Sequence, residues 1–137
     1  MHRQRVVIDT NVIVSALLSR HGNPAQVIDM VFYGYFEPCY CAEILSEYAK
    51  VLMRPRFEFS LEDRKHILEG IRGYGVPIEP APIEIHFPDE SDRIFYEVAK
   101  AASAYLVTGN AKHFPNEPII ISPAEFIRLL GNFTNDT

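Results

Sequence analysis

Several things are missing from this chain of 137 residues. No apolar run approaches the roughly 18 residues that cross a bilayer, which excludes a helical membrane span. Only two cysteines occur, Cys39 and Cys41, with a single residue between them. A strand would point both the same way, a poor geometry for a disulfide, and without a CxxC pair a zinc ribbon is excluded. They read as small buried hydrophobes in a reducing cytosol. Neither a P-loop nor a GxGxxG element is present, which sets aside a P-loop NTPase and a dinucleotide enzyme. A basic surplus is lacking as well. Thirteen Lys and Arg against 18 Asp and Glu give a net charge of −5, the wrong sign for a simple electrostatic reader of DNA grooves. The chain passes from Met-His-Arg-Gln-Arg straight to Val6-Val7-Ile8 with no signal-peptide core, so a cytoplasmic protein is expected.

What is present is the composition of a globular fold, 47% hydrophobic and 23% charged. No repeat, low-complexity tract or linker interrupts it. The expectation is one domain over residues 1–130 and a flexible tail over 131–137. Arg5-Val6-Val7-Ile8 reads as a buried strand, followed by a helix from Asn11 to about Ser19 capped by Thr10 or Asn11. A helix from Pro24 with Asn23 as cap, a strand at 37–41 and a helix from 42 to about 53 come next. Ser60 caps a helix to about Arg72. The proline-spaced stretch 77–88 reads as an extended connection with one or two short strand pieces. Asp89 opens a helix to about Ser103; strands at 105–107 and 118–121 precede a last helix to Leu130. Short apolar strands alternating with helices predict a three-layer α/β/α sandwich around a central, mainly parallel sheet. Ligands then sit beyond the carboxyl ends of the strands, where the strand order reverses.

The residues at those strand ends carry the chemistry. Asp9 directly follows a Val-Val-Ile run. Taken alone it reads equally well as a turn or cap residue, but Thr10 and Asn11 can already cap. Thr108-Gly109-Asn110 closes a second strand, and reads alone as an ordinary turn. On a wheel of residues 42–53, Ile44, Leu45, Tyr48, Val51 and Leu52 share one face and Glu47 lies at its margin. Asp92 lies at the margin of the Ile94, Phe95, Val98, Ala99 and Ala102 stripe, where a first-turn acid is also favoured by the helix dipole. Carboxylates from three elements converging on one sheet edge repel one another unless a cation stands between them. Hard oxygen donors with open positions suit Mg2+ or Mn2+, the apparatus of phosphoryl transfer.

At this point the blocks Val6-Val7-Ile8-Asp9-Thr10-Asn11, Ser46-Glu47-Tyr48 through Phe57, Asp89 through Phe95, and Tyr105 through Asn110 with Lys112-His113-Phe114-Pro115 can be taken together. In this order and spacing, with Ile121 through Phe126 closing the set, they resemble the PIN domain family. The likeness is to its stand-alone prokaryotic VapC-like members, the toxin components of toxin–antitoxin pairs. The resemblance implies a PIN-type endoribonuclease that uses Mg2+ or Mn2+ and hydrolyses RNA in line, leaving 5′-phosphate and 3′-hydroxyl ends. It assigns Asp9, Glu47 and Asp92 as catalytic and metal-holding acids, and Thr10, Asn11, Ser46 and Thr108 as the polar residues around them. It also implies a homodimer and a cognate antitoxin protein as partner, with no membrane involved.

One position departs from the pattern. Many PIN nucleases carry an acid where this chain has Asn110, whose carbonyl can serve a metal or orient a water but brings no charge. Asn110 is therefore read as a catalytic-site residue with weaker metal affinity around it. The alternative is a PIN-fold module that binds RNA or protein and cuts weakly or not at all. An aspartyl-phosphate protein with Asp9 as acceptor is disfavoured, since Asn11 stands where its usual second acid belongs. Arg54, Arg56, Arg93 and Lys112 are the basic residues closest in sequence to the proposed edge, placed to guide an RNA backbone or simply to face solvent. His113, about one helical turn past Asn110, is placed to contact phosphate or donate a proton, and reads more readily as a structural or surface histidine.

Overall fold

The computed structural model describes residues 3–134. The elements run β1 (Gln4–Ile8), α1 (Thr10–Leu18), α2 (Asn23–Phe32), β2 (Phe36–Tyr40), α3 (Ala42–Leu52), α4 (Leu61–Tyr74), β3 (Val76–Pro77), α5 (Arg93–Ala102), β4 (Tyr105–Val107), β5 (Ile120–Ile121) and α6 (Pro123–Thr134). The strands pair in the order β3-β2-β1-β4-β5, and every pair is parallel. Val6, Val7 and Ile8 are each 1% exposed or less. Consecutive strand residues point to opposite faces, so a run buried throughout requires cover on both sides.

Helices supply that cover. α2 and α6 pack on each other, and α5 lies across β1, β2 and β4. The chain walks one way from β1 to β3 and then returns to β4, and right-handed crossovers in opposite directions put α5 on the face opposite α2. This is the α/β/α sandwich expected from the sequence. Phe36 of β2 and Phe126 of α6 meet with ring centroids 4.3 Å apart, at the centre of one layer. Gly70 lets α4 approach α2, since a Cβ there would lie 2.3 Å from the Phe32 ring. No helix among the described residues is long and apolar enough to cross a membrane.

Several boundaries differ from the sequence reading for local reasons. α1 begins at Thr10 because Asp9 itself caps it, its side chain accepting from the Thr10 amide. α2 begins at Asn23, with Gly22 in the cap position and no side-chain cap. Ser60 caps α4 as expected, accepting from the Asp63 amide at 3.0 Å. Before α6, Ser122 and Glu125 bond each other's amides reciprocally, a capping box. That helix runs to Thr134, past the expected Leu130, and the rest of the expected tail, residues 135–137, lies outside the described residues.

The stretch after β3 holds no further strand up to residue 88. Side chains of α5 take over the part of a sheet neighbour. The Ile83 amide donates to Glu97 Oε2 at 2.9 Å, while Arg93 donates to the Ile83 and Ile85 carbonyls. Arg93 also stacks over the Phe87 ring at 4.9 Å, and Phe87 is buried against Tyr96 and Phe114.

Candidate active site

The strand order reverses between β1 and β4, the position at which a parallel sheet opens a crevice. Ile8 pairs with Val107, so the residues that follow them, Asp9 and Thr108, leave the sheet side by side. The Asp9 amide continues the ladder by donating to the Val107 carbonyl at 2.9 Å. Its carboxylate is fixed at both oxygens. Oδ1 accepts from the Thr10 amide at 2.8 Å, and Oδ2 accepts from Thr108 Oγ1 at 2.7 Å. Asp9 is thus both the helix cap and a buried acid at the crevice. Burial raises its pKa; the bonds from Thr108 and Thr10 and the nearness of His113 work against the rise, and Glu47 adds to it.

Asp92 reaches the same edge by a different route from the one its sequence suggests. Asp89 caps a 3-10 turn, Glu90–Asp92, by accepting from the amide and hydroxyl of Ser91. These bonds hold the Asp89 carboxyl below its usual range. α5 proper starts only at Arg93, which puts Asp92 at its mouth with the side chain turned inward, 15% exposed. Its Oδ2 is buried and has no hydrogen-bond partner. Burial, and then the charges of Asp9 and Asp89, push its pKa up to about 6, against the pull of His113, whose Nδ1 lies 3.5 Å away.

Glu47 is half-buried on α3, and its charge is felt at Asp9 more weakly than that of His113. It lines a cleft of about 240 Å3 together with Glu43, Glu90 and Glu97. Its neighbour Tyr48 is 1% exposed and donates its hydroxyl to the Ile8 carbonyl, tying α3 to the last residue of β1. Among the described residues, no three His, Cys, Asp or Glu side chains stand as a group that could hold a metal ion. Asp92 feels the charge of Asp9, and Asp9 that of Glu47. Asp9 and Asp92 still have the chemistry a hard divalent cation requires: a buried carboxylate and a partly buried one, both with raised proton affinity, the second with an unpartnered oxygen.

The remaining residues expected at the site divide by what they touch. Thr108 is 1% exposed; it donates to Asp9 and accepts from the Asn110 amide at 2.9 Å, so it orients the acid. Asn11 accepts from the Gly109 amide at 3.3 Å and pins the turn. Thr10 is buried with no partner for its hydroxyl. Asn110, Ser46, Arg54 and Lys112 are exposed. Arg93, expected to guide substrate, has its guanidinium engaged by the Ile83 and Ile85 carbonyls and Glu90. The basic side chain that does face the acids is that of His113, through a contact 21 residues apart in sequence.

The sequence profile of the PIN domain family matches residues 5–112. An uncharacterized protein of Methanocaldococcus jannaschii is 30% identical over 109 residues, which span 77% of this chain and 70% of that protein.

Proposed function

The chain belongs to the PIN domain family, whose members are typically nucleases, and on that footing we propose that it is a metal-dependent endoribonuclease. The observation that carries this reading is the Asp9–Asp92 pair at the strand-order reversal, with a buried oxygen of Asp92 left unpartnered. PIN nucleases generally use divalent metals. Asp9 and Asp92, with Glu47 as third carboxylate, would hold Mg2+ or Mn2+. Such an ion supplies charge neutralisation at a phosphodiester and lowers the pKa of an attacking water.

The chain's own groups prepare that chemistry. The Thr108 hydroxyl and Thr10 amide fix both oxygens of Asp9 in one orientation. Tyr48 holds the strand end that carries Asp9. The exposed Asn110, Ser46, Arg54 and Lys112 are available to the RNA. The test is cleavage of end-labelled RNA with Mn2+ by the wild type and by Asp9→Asn. Loss of cutting in the variant supports the assignment, and equal residual cutting in both refutes it.

A second reading has its own observation. Asn110 brings no charge where an acid is usual, and no three-ligand metal group is preformed among the described residues. A module that binds RNA or protein with little cutting would bind RNA equally well as wild type or Asp9→Asn, with or without Mn2+.

We further read the protein as the toxin of a toxin–antitoxin pair, working as a homodimer and blocked by a cognate antitoxin. Leu18, Met53 and Leu61 are exposed apolar side chains available to such partners. A small gene adjacent to this one, whose product co-purifies and suppresses cleavage, would support that role.

A further inference from the structure

A cleft beside β5 adjoins the acids through a single turn. Val107 pairs with Ile121, so β5 ends one strand outward from the crevice between β1 and β4. The chain leaves β4 through Asn110 and enters the 3-10 turn Ala111–His113. At one end of that turn His113 lies 3.5 Å from Asp92. At the other, Ala111 and Lys112 line a cleft of about 430 Å3, completed by residues 114–117 and Ile120. Sites that hold small ligands span roughly 300–1,000 Å3.

The far wall of this cleft is fixed by the rest of the fold. Phe114 is buried, its ring edge-on to Phe87. The Glu117 carboxylate is taken at both oxygens, by the Tyr96 hydroxyl and by Lys100 Nζ at 2.7 Å, so its charge is paired within the wall. The Ile120 amide donates to the Glu117 carbonyl at 3.0 Å. Lys112 and Asn116 are both exposed. Among the described residues Lys112 enters no ion pair, and the Asn116 side chain makes no hydrogen bond. Pro115 and Ile120 add half-buried apolar surface.

A cation, an amide that both donates and accepts, and an apolar wall answer the three parts of an unpaired nucleotide: its phosphate, the polar edge of its base and the base's flat face. We propose that this cleft receives a base of single-stranded RNA flanking the scissile phosphodiester, with Asn116 on the base edge and Lys112 on the adjoining phosphate. The assignment rests on the nuclease reading and makes Asn116 the residue that selects the sequence cut. Phosphate contacts position a nucleic acid and base-edge contacts specify it, so the two side chains have separable effects.

The probes are labelled 12-mers of adenosine, cytidine and uridine, which share a backbone and differ in base. Their affinities are measured by fluorescence anisotropy at pH 7.5 in EDTA over a range of salt, for the wild type, Asn116→Ala and Lys112→Ala. The wild type should separate the tightest from the weakest by about three- to tenfold, the size of one hydrogen bond. Asn116→Ala should bring the three within about twofold, chiefly by weakening the tightest. Lys112→Ala should weaken all three by a common factor, keep their order and lower the salt slope by about 0.7. An equal loss of all three with Asn116→Ala would make that residue a backbone contact and overturn the proposal. A spread that Asn116→Ala leaves unchanged, no spread in the wild type, or no binding at low salt would overturn it too. Cleavage by wild type and Asp9→Asn with Mn2+ is scored separately. Asp9-dependent cutting with a spread indifferent to Asn116 defeats the cleft assignment alone, whereas equal cutting in both defeats the nuclease reading.

Discussion

Replacing Tyr48 with Phe removes one oxygen from the interior and almost nothing else. The ring is 1% exposed and packs with its centroid 6.0 Å from that of Phe95, and the phenylalanine ring keeps that packing. What disappears is the bond to the Ile8 carbonyl, leaving that buried acceptor without its hydroxyl partner. A buried hydrogen bond contributes about 1 kcal/mol net, and a stranded acceptor costs about 1–3 kcal/mol. Partial relief from no longer burying the hydroxyl brings the expected loss to about 1.5 kcal/mol. In a domain of this size that corresponds to a fall of about 5 °C in Tm. The strand end that carries Asp9 loses its tie to α3, so RNA cleavage with Mn2+ should fall by more than the unfolded fraction explains at 25 °C. Calorimetry and urea unfolding measure the first effect, and initial rates the second. An unchanged Tm together with an unchanged rate would show that this contact neither stabilises the fold nor sets the site.

Thr108→Val keeps shape and loses the hydroxyl that serves both Asp9 and the Asn110 amide; it should cost about 2 kcal/mol in urea unfolding and lower cleavage at least tenfold. A stable variant with full activity would contradict the orienting role. The pH dependence follows from Asp92. Its folded pKa, about 6, lies above the unfolded value of 3.8, so the native state retains a proton that the unfolded chain has released. Its contribution therefore falls as pH rises from about 4 to 6, and the penalty is complete above that range. Tm measured in EDTA should decline over this window more steeply for the wild type than for Asp92→Asn, and equal slopes would contradict the burial of that carboxylate.

Much of this was legible in the sequence because the governing signals are local. A continuous Val-Val-Ile run can only be a strand covered on both faces, and it delivers Asp9 to the sheet's carboxyl edge. The 3.6-residue stripe of α3 places Glu47 at the margin of a buried face, whereas Asp92 sits in the 3-10 turn before α5 rather than on its stripe. The failures share a different cause. Arg93 looked like a free cation because its partners are backbone carbonyls of an extended segment with no periodicity of its own. Asp9 seemed free of capping because two better-known cap residues follow it. His113 meets Asp92 only because the turn after β4 lies beside the 3-10 turn before α5.

In the proposed metal site, Asp9 and Asp92 form a pocket whose crowded negative charge a divalent cation relieves. Calorimetric titration of Mn2+ into the metal-free protein at pH 7.5 tests it most directly, with Asp9→Asn and Asp92→Asn alongside. The wild type should bind saturably, either variant at least tenfold more weakly, and Mn2+ should raise the Tm of the wild type and not of the variants. Binding of equal strength in all three proteins, or no binding in any, would contradict it.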